Sequence, residues 1–257
     1  MHGQVWTPHI QKGKCSVSCY LIIPCFNEED RLDGSAFTSY AKKNKDVRFI
    51  FANDGSKDDT AKVLETLSSL APKTMYVYNA PHNKGKAAVI RDAFLTFDKE
   101  ELFNSNDWIG YWDADLATPL WEVDNMYKYS RLYEDQIDSI WGSRLLRLGS
   151  DIRRSAKRHY LGRIFATVVG VVLNVKSYDS QCGAKLFNYE SAKIAFSAPF
   201  ISKWIFDVEI LLRLQDKRII EYPLRKWEDV PGSKVNISKD IFRVLKDLFQ
   251  IWKLHNK

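Results

Sequence analysis

The chain has no apolar run long enough to cross a bilayer. Its longest, IFATVVGVVLNV at 164–175, is about half of the ~20 residues a membrane-spanning helix needs. The leader MHGQVWTPHIQKGK also lacks the apolar core of a signal peptide. Cysteine is scarce, and Cys15, Cys19, Cys25 and Cys182 have no zinc-ribbon spacing. They are expected to be reduced thiols of a cytoplasmic protein. Internal repeats and low-complexity linkers are missing too, which points to one continuous domain over 17–235 between a polar leader (1–16) and a C-terminal segment (236–257). Excess charge is modest, with 38 Lys and Arg against 32 Asp and Glu, a net +6. No nucleic-acid recognition motif accompanies it, so nucleic acid is not an expected partner; a nucleotide, a lipid phosphate or a membrane surface suits it better.

What is present is an alternation of strand and helix patterns. VSCYLIIPCF (17–26) is a short apolar, partly β-branched run broken by Pro24, and NEEDRLDGSAFTSYAKKN after it carries helical spacing. VRFIFA (47–52) repeats the strand, Asn53-Asp54-Gly55-Ser56 the turn, and a helix from about Thr60 sets Ala61, Leu64, Leu67 and Leu70 on one side. MYVYN (75–79), the loop APHNKGK and the helix AAVIRDAFLTFDKEEL form a third unit, and DWIGYWDAD a fourth strand. The second half is more mixed. SIWGSRL (139–145) reads as strand and turn, RRSAKRHYLGRIFATVVGVVLN as a basic segment entering a helix, DSQCGAKLFN as a turn and short strand, SKWIFDVEILLRLQDK as a helix and IIEYPLRKW as a strand. In the tail, Ile237, Ile241, Val244, Leu245, Leu248 and Trp252 recur at helical intervals, predicting a basic amphipathic helix. Such alternation implies an α/β fold with a mainly parallel sheet, whose ligands lie at the carboxyl ends of the strands.

Every polar loop of the first half falls at such an end. In GYWDADLATP, Asp113 and Asp115 face the same way if the strand continues, flanking Ala114. Two hard oxygen ligands suit magnesium or manganese, and so a metal and phosphate site. An isolated pair of this kind is most often a solvated acidic turn. Lys84, Gly85 and Lys86 offer a tight turn with cations for a pyrophosphate, against the plainer reading of a solvated basic loop.

PCFNEE, NDGSKDDT, NKGKAAVIRDAF and DAD in this order, followed by GSR, DSQCGAKLF, FDVEILL and KWEDVPGSKV, make the chain resemble the family-two glycosyltransferases of the GT-A fold. Within them it is most similar to the dolichyl- and polyprenyl-phosphate glycosyltransferases, in particular the dolichyl-phosphate β-glucosyltransferase branch. The resemblance implies Asp115 as direct metal ligand with Asp113 in support, and Pro24, Phe26, Asn27 and Glu28 against the nucleoside. It also implies Asp54 near the base and Arg144 of GSR on a phosphate. Asp179, Gln181 and Gly183 would lie beside the sugar or acceptor with Cys182 as a neighbour only, and Ser233 and Lys234 in a loop over a phosphate. Asn53 stands where many relatives have aspartate. Ala117 stands where makers of lipid-linked mannose often have glutamine, which favours the glucosyl branch.

The implied reaction is inverting transfer of glucose from UDP-glucose to a polyprenyl phosphate, on the cytoplasmic face of a membrane that the protein does not span. UDP-N-acetylglucosamine, UDP-galactose and GDP-mannose stay open as donors. An ionised lipid phosphate needs no strong base, whereas a glycan hydroxyl, the alternative acceptor, needs one; Asp179 and Asp207 are the candidates. A non-catalytic nucleotide-sugar binding protein is the alternative from another class. Phe242, Phe249 and Trp252 of the tail, with Lys239, Arg243, Lys246 and Lys253, suit a membrane interface or, equally, packing on the domain.

Overall fold

Strand β2 (Cys19–Cys25) is buried on both faces apart from half-buried Pro24, as its unbroken apolar run demands of a central strand. Cys19, Leu21, Ile23 and Cys25 enter one core layer, while Tyr20 and Ile22 enter the other. The computed structural model describes residues 5–6, 17–133, 136–230 and 237–255. Around β2 lie β1 (Val5–Trp6), β3 (Val47–Asn53), β4 (Met75–Asn79), β5 (Trp108–Trp112), β6 (Ser139–Ser143), β8 (Ala184–Asn188) and β9 (Ile219–Pro223) in one sheet of order β1-β4-β3-β2-β5-β8-β6-β9. β7 (Asp151–Arg153) and β10 (Lys226–Glu228) form a second, two-stranded parallel sheet.

In the large sheet β2, β3, β4 and β5 run parallel, and so do β6 and β9; β1 and β8 run against their neighbours. This is the mainly parallel sheet expected from the sequence. Because β8 is reversed, the turn that precedes it opens at the edge where β2 to β6 end. One face is covered by α1 (Gly34–Lys43), α2 (Thr60–Leu70) and α4 (Trp121–Leu132), through Phe37, Leu64, Leu67, Val123 and Met126. Phe37 sits edge-on to both Phe49 and Phe51, with centroids 5.2 Å apart in each pair. The other face carries α3 (Lys86–Lys99), α6 (Tyr189–Ala195) and α7 (Phe206–Arg213). Burial of each such side chain contributes about 1.5–3 kcal/mol.

A third, smaller core joins α5 (Ala156–Leu173), α7 and α8 (Ile237–His255). In it Leu248 and Ile251 pack with Val169, Leu173, Val208 and Leu212. The tail helix therefore packs on the domain with one face, while Leu245, Phe249 and Trp252 on the other remain exposed.

The structure departs from the sequence reading in several places, among them β1 within the leader, paired with β4, and β7, which takes in Arg153 of the basic segment. The helix expected soon after Asn27 starts only at Gly34, where Asp33 accepts the Ala36 amide. IIEYPLRKW splits into two strands: the buried Glu122 carboxylate takes the amides of Arg225 (2.5 Å) and Lys226 (2.9 Å) and draws the chain off the large sheet. Helices α4 and α6 were not anticipated.

Candidate active site

The first two strand-end loops are stapled to each other by side-chain to backbone bonds. The Asn27 amide donates to Ser56 Oγ (3.0 Å) and the Glu28 amide to Thr60 Oγ1 (2.8 Å). In return Asn27 Oδ1 accepts the Lys57 amide (2.9 Å) and Glu29 the Asp59 amide (3.1 Å). Asn27 adopts a left-handed φ of 52° to turn the chain after Pro24 and Cys25. That region tolerates asparagine better than other side chains. Phe26 and Glu28 are half-buried along this wall. Asn53 holds the NDGS turn by accepting from the Ser56 amide (3.1 Å) and hydroxyl (2.6 Å), and it donates to Asn79 (2.9 Å).

Asp54 is buried and reaches the third loop, where it accepts the amides of Lys84 (2.7 Å) and Gly85 (2.8 Å). Burial raises its carboxyl pKa, against the two amides that lower it. Its role in this structure is to shape NKGK. A Cβ on Gly55 would stand 2.4 Å from the His82 carbonyl carbon, so this contact admits only glycine. Gly85, at φ 97°, passes under the Lys203 side chain. The two flanking lysines diverge. Lys84 pairs with Asp92 on α3 at 2.7 Å, while Lys86 reaches Asp113 at 2.5 Å.

β5 ends at Trp112, so Asp113 and Asp115 lie not on the expected strand but in the turn after it, which the Leu116 amide closes on the Asp113 carbonyl (3.3 Å), with Ala114 buried between them. Burial, then the Asp113 charge, raises the Asp115 carboxyl pKa. Burial opposes the Lys86 charge, but Asp113, Asp207 and Asp115 together outweigh it and raise the Lys86 pKa. This is an acidic centre short of positive charge, and it fits a hard divalent cation. Two carboxylates leave most of the coordination sphere to substrate phosphates, as magnesium and manganese sites do. Among the described residues no group of three or more His, Cys, Asp or Glu could hold a metal alone.

The DSQCG turn closes the other side. The Asp113 amide donates to the Gly183 carbonyl (3.1 Å), and a Cβ on Gly183 would lie 1.9 Å from Asp113 Oδ2. Arg144, just past β6, grips Asp179 through Nε (2.6 Å), Nη2 (2.6 Å) and its amide (3.0 Å). Burial alone would raise the Asp179 carboxyl pKa, but the Arg144 charge and hydrogen bonds hold it at about 2. Glu221 accepts the Asp179 amide (2.8 Å) from below. Burial pushes the Cys182 thiol up to about 11, so it is a neighbour and not a nucleophile.

Neither anticipated base is available. Asp179 has too little proton affinity, and Asp207 is buried with Oδ1 taken by Lys185 (2.6 Å) and the Tyr111 hydroxyl. Two donors are left over. Among the described residues, Arg154 Nε and Gln181 Nε2 are buried without a hydrogen-bond partner. The Arg154 guanidinium has its pKa lowered by burial and then by the Arg144 charge. Sequence reasoning missed Lys185, Lys203 and Glu221. Ser233 and Lys234 lie outside the described residues.

Solved structures share this architecture. Glucosyl-3-phosphoglycerate synthase from Mycobacterium tuberculosis, in complex with Mn2+, UDP and phosphoglyceric acid, superposes with a TM-score of 0.63 at 15% identity, over 92% of this chain and 78% of that one. By sequence the chain is 30% identical to the human dolichyl-phosphate beta-glucosyltransferase, covering 91% of this chain and 77% of the relative. It is 29% identical to that of Dictyostelium discoideum, covering 91% and 76%. The description of glycosyl transferase family 2 matches residues 20–193, which span the stapled loops, the acidic centre and the DSQCG turn. The chain belongs to that family and is a glycosyltransferase.

Proposed function

We propose that this enzyme transfers glucose from UDP-glucose to a polyprenyl phosphate of the dolichyl type, with inversion at the anomeric carbon. The observation that carries the reading is the pair of buried donors, Arg154 Nε and Gln181 Nε2, without a partner among the described residues, in a site whose two candidate bases, Asp179 and Asp207, are already engaged. Such donors call for an anion. An ionised phosphate acceptor supplies one and needs no base. The relatives named as dolichyl-phosphate beta-glucosyltransferases support the sugar and the acceptor, and the fold shared with a synthase crystallised with Mn2+ and UDP-glucose supports the donor.

Asp113 and Asp115 would hold a divalent cation, magnesium or manganese, which when bound offsets the charge of the departing diphosphate. The wall from Pro24 to Glu28, with Asn53 and Asp54 behind it, receives the nucleoside, and Lys86 stands beside the diphosphate. Arg154 and Gln181 orient the acceptor phosphate, and Arg144 with Asp179 fixes the turn that carries Gln181. A phosphate oxygen attacks the anomeric carbon and forms the new C–O bond. The bond to the nucleotide diphosphate breaks with its electron pair going to the leaving oxygen. No proton has to move, and the contribution of the protein is positioning and charge.

The acceptor reaches this site along a lipid surface. Tyr160, Ile164 and Val171 form an exposed apolar stripe on α5, and Leu245, Phe249 and Trp252 another on α8. Lys157 and Arg153 are exposed where α5 begins. Apolar stripes edged by cations suit the interface of an anionic bilayer. Among the described residues no helix is long and apolar enough to cross one.

A donor screen with a short polyprenyl phosphate, with and without manganese, tests the reading by scoring lipid-linked sugar. Glucose transfer from UDP-glucose, lost in Asp115→Ala, is the expected result. Full turnover by Asp115→Ala, or transfer only to glycan hydroxyls, overturns it.

A further inference from the structure

Lys185 is the one lysine on β8 and its side chain is 0% exposed. A charged group so deep in a sheet is costly unless every donor is used. Lys185 uses all three: Nζ donates to the Ser180 carbonyl (3.0 Å), the Cys182 carbonyl (2.5 Å) and Asp207 Oδ1 (2.6 Å). Trp141 and Tyr111 line it, with Nζ 4.5 Å and 5.3 Å from their ring centroids. Two of the three acceptors are backbone carbonyls of the DSQCG turn, and the third anchors that turn to the first helical turn of α7.

The same turn serves both substrates. At its start, Asp179 is held by Arg144, and Gln181 carries an unpartnered donor. At its end, the Gly183 carbonyl accepts the Asp113 amide, with no room for a Cβ against the Asp113 carboxylate. From these contacts we infer that Lys185 is a positioning residue that sets the distance between the donor and the acceptor phosphate, by fixing the backbone of 180–183. The inference rests on the proposed transfer to a lipid phosphate. Lys185 touches neither substrate and acts through the turn.

A loosened turn leaves the donor bound and the acceptor misplaced, so water competes better for the anomeric carbon. The test measures donor hydrolysis against transfer to a short polyprenyl phosphate, together with KM for donor and acceptor. Lys185→Met leaves Asp207 without its cation and risks misfolding. Lys185→Met/Asp207→Asn removes both charges and serves as the folded variant, verified by circular dichroism and thermal melting. The ratio of hydrolysis to transfer is expected to rise at least about tenfold and the acceptor KM to rise, with the donor KM within about threefold of wild type; a displacement near 1 Å can cost 10²-fold in rate. Asp207→Asn alone keeps both carbonyl contacts and is expected to shift the ratio less. A purely structural role scales both reactions with the folded fraction and leaves the ratio fixed. An unchanged ratio in the folded double variant, or an equal shift in Asp207→Asn, overturns the inference. Failure of the wild type to glycosylate the lipid phosphate overturns the proposed function instead.

Discussion

Gly183→Ala is a sharp test of how the two halves of the site meet. The added Cβ would stand 1.9 Å from Asp113 Oδ2 and 2.3 Å from its Cγ, so carboxylate and turn must separate by about 1.5 Å to reach ordinary contact near 3.4 Å. Gly183 has no left-handed φ, and the whole effect is one of space. Overpacking of this kind costs about 1–3 kcal/mol, a loss that a chain of this size can absorb. The catalytic loss is expected to be larger. Displacing Asp113 disturbs its 2.5 Å pair with Lys86 and its distance to Asp115, and misplacement by about 1 Å is worth roughly 10²-fold in rate. The assay is kcat with saturating UDP-glucose across a manganese titration, alongside the melting temperature. A kcat within threefold of wild type at an unchanged manganese midpoint, in a folded protein, would refute the reasoning.

Two further outcomes follow from the same contacts. The Asp179 carboxyl is depressed from 3.8 to about 2, so the pair with Arg144 contributes stability above the unfolded pKa and loses it as pH falls from about 5 towards 2. That shift is worth about 2 kcal/mol, and urea unfolding should find Asp179→Asn less stable by at least this much at pH 7, with the gap narrowing as the medium acidifies; a gap constant with pH would contradict the assignment. Phe249→Ser changes a side chain that is 61% exposed and stacks on Trp252, so it should lower the melting temperature only slightly while weakening flotation with anionic liposomes about tenfold; equal flotation would remove the α8 stripe from the membrane contact.

Much of the donor side was legible in the sequence because its loops are local. MYVYN and the Thr60 helix fall where periodicity puts them, and the fourth strand does too except that it ends at Trp112, before DAD. What stayed hidden depends on partners far along the chain. Asp179 and Asp207 look like available bases until Arg144, 35 residues away, and Lys185, 22 residues away, are seen to occupy them. Helix α4 was missed because the buried Glu122, whose partners lie 103 and 104 residues on, interrupts its apolar face. Lys185 did leave a trace: a lone lysine between Ala184 and the apolar pair Leu186 and Phe187 of a short strand, which sequence reasoning passed over.

The reversed strand β8 has a consequence for how such enzymes diversify. It lies between the parallel block β4-β3-β2-β5, whose loops form the stapled wall and the acidic centre, and the pair β6-β9, after which Arg144 grips Asp179. The two blocks are joined along the β5–β8 ladder, from Trp108 opposite Asn188 to Trp112 opposite Ala184, and where it ends at the acidic centre one hydrogen bond, from the Asp113 amide to the Gly183 carbonyl, and the lone hydrogen of a glycine hold them in register. Loops on either side can change in length and chemistry without breaking that ladder, and Asp113 with Gly183 is the point at which a chimeric transferase should be checked for a shifted register.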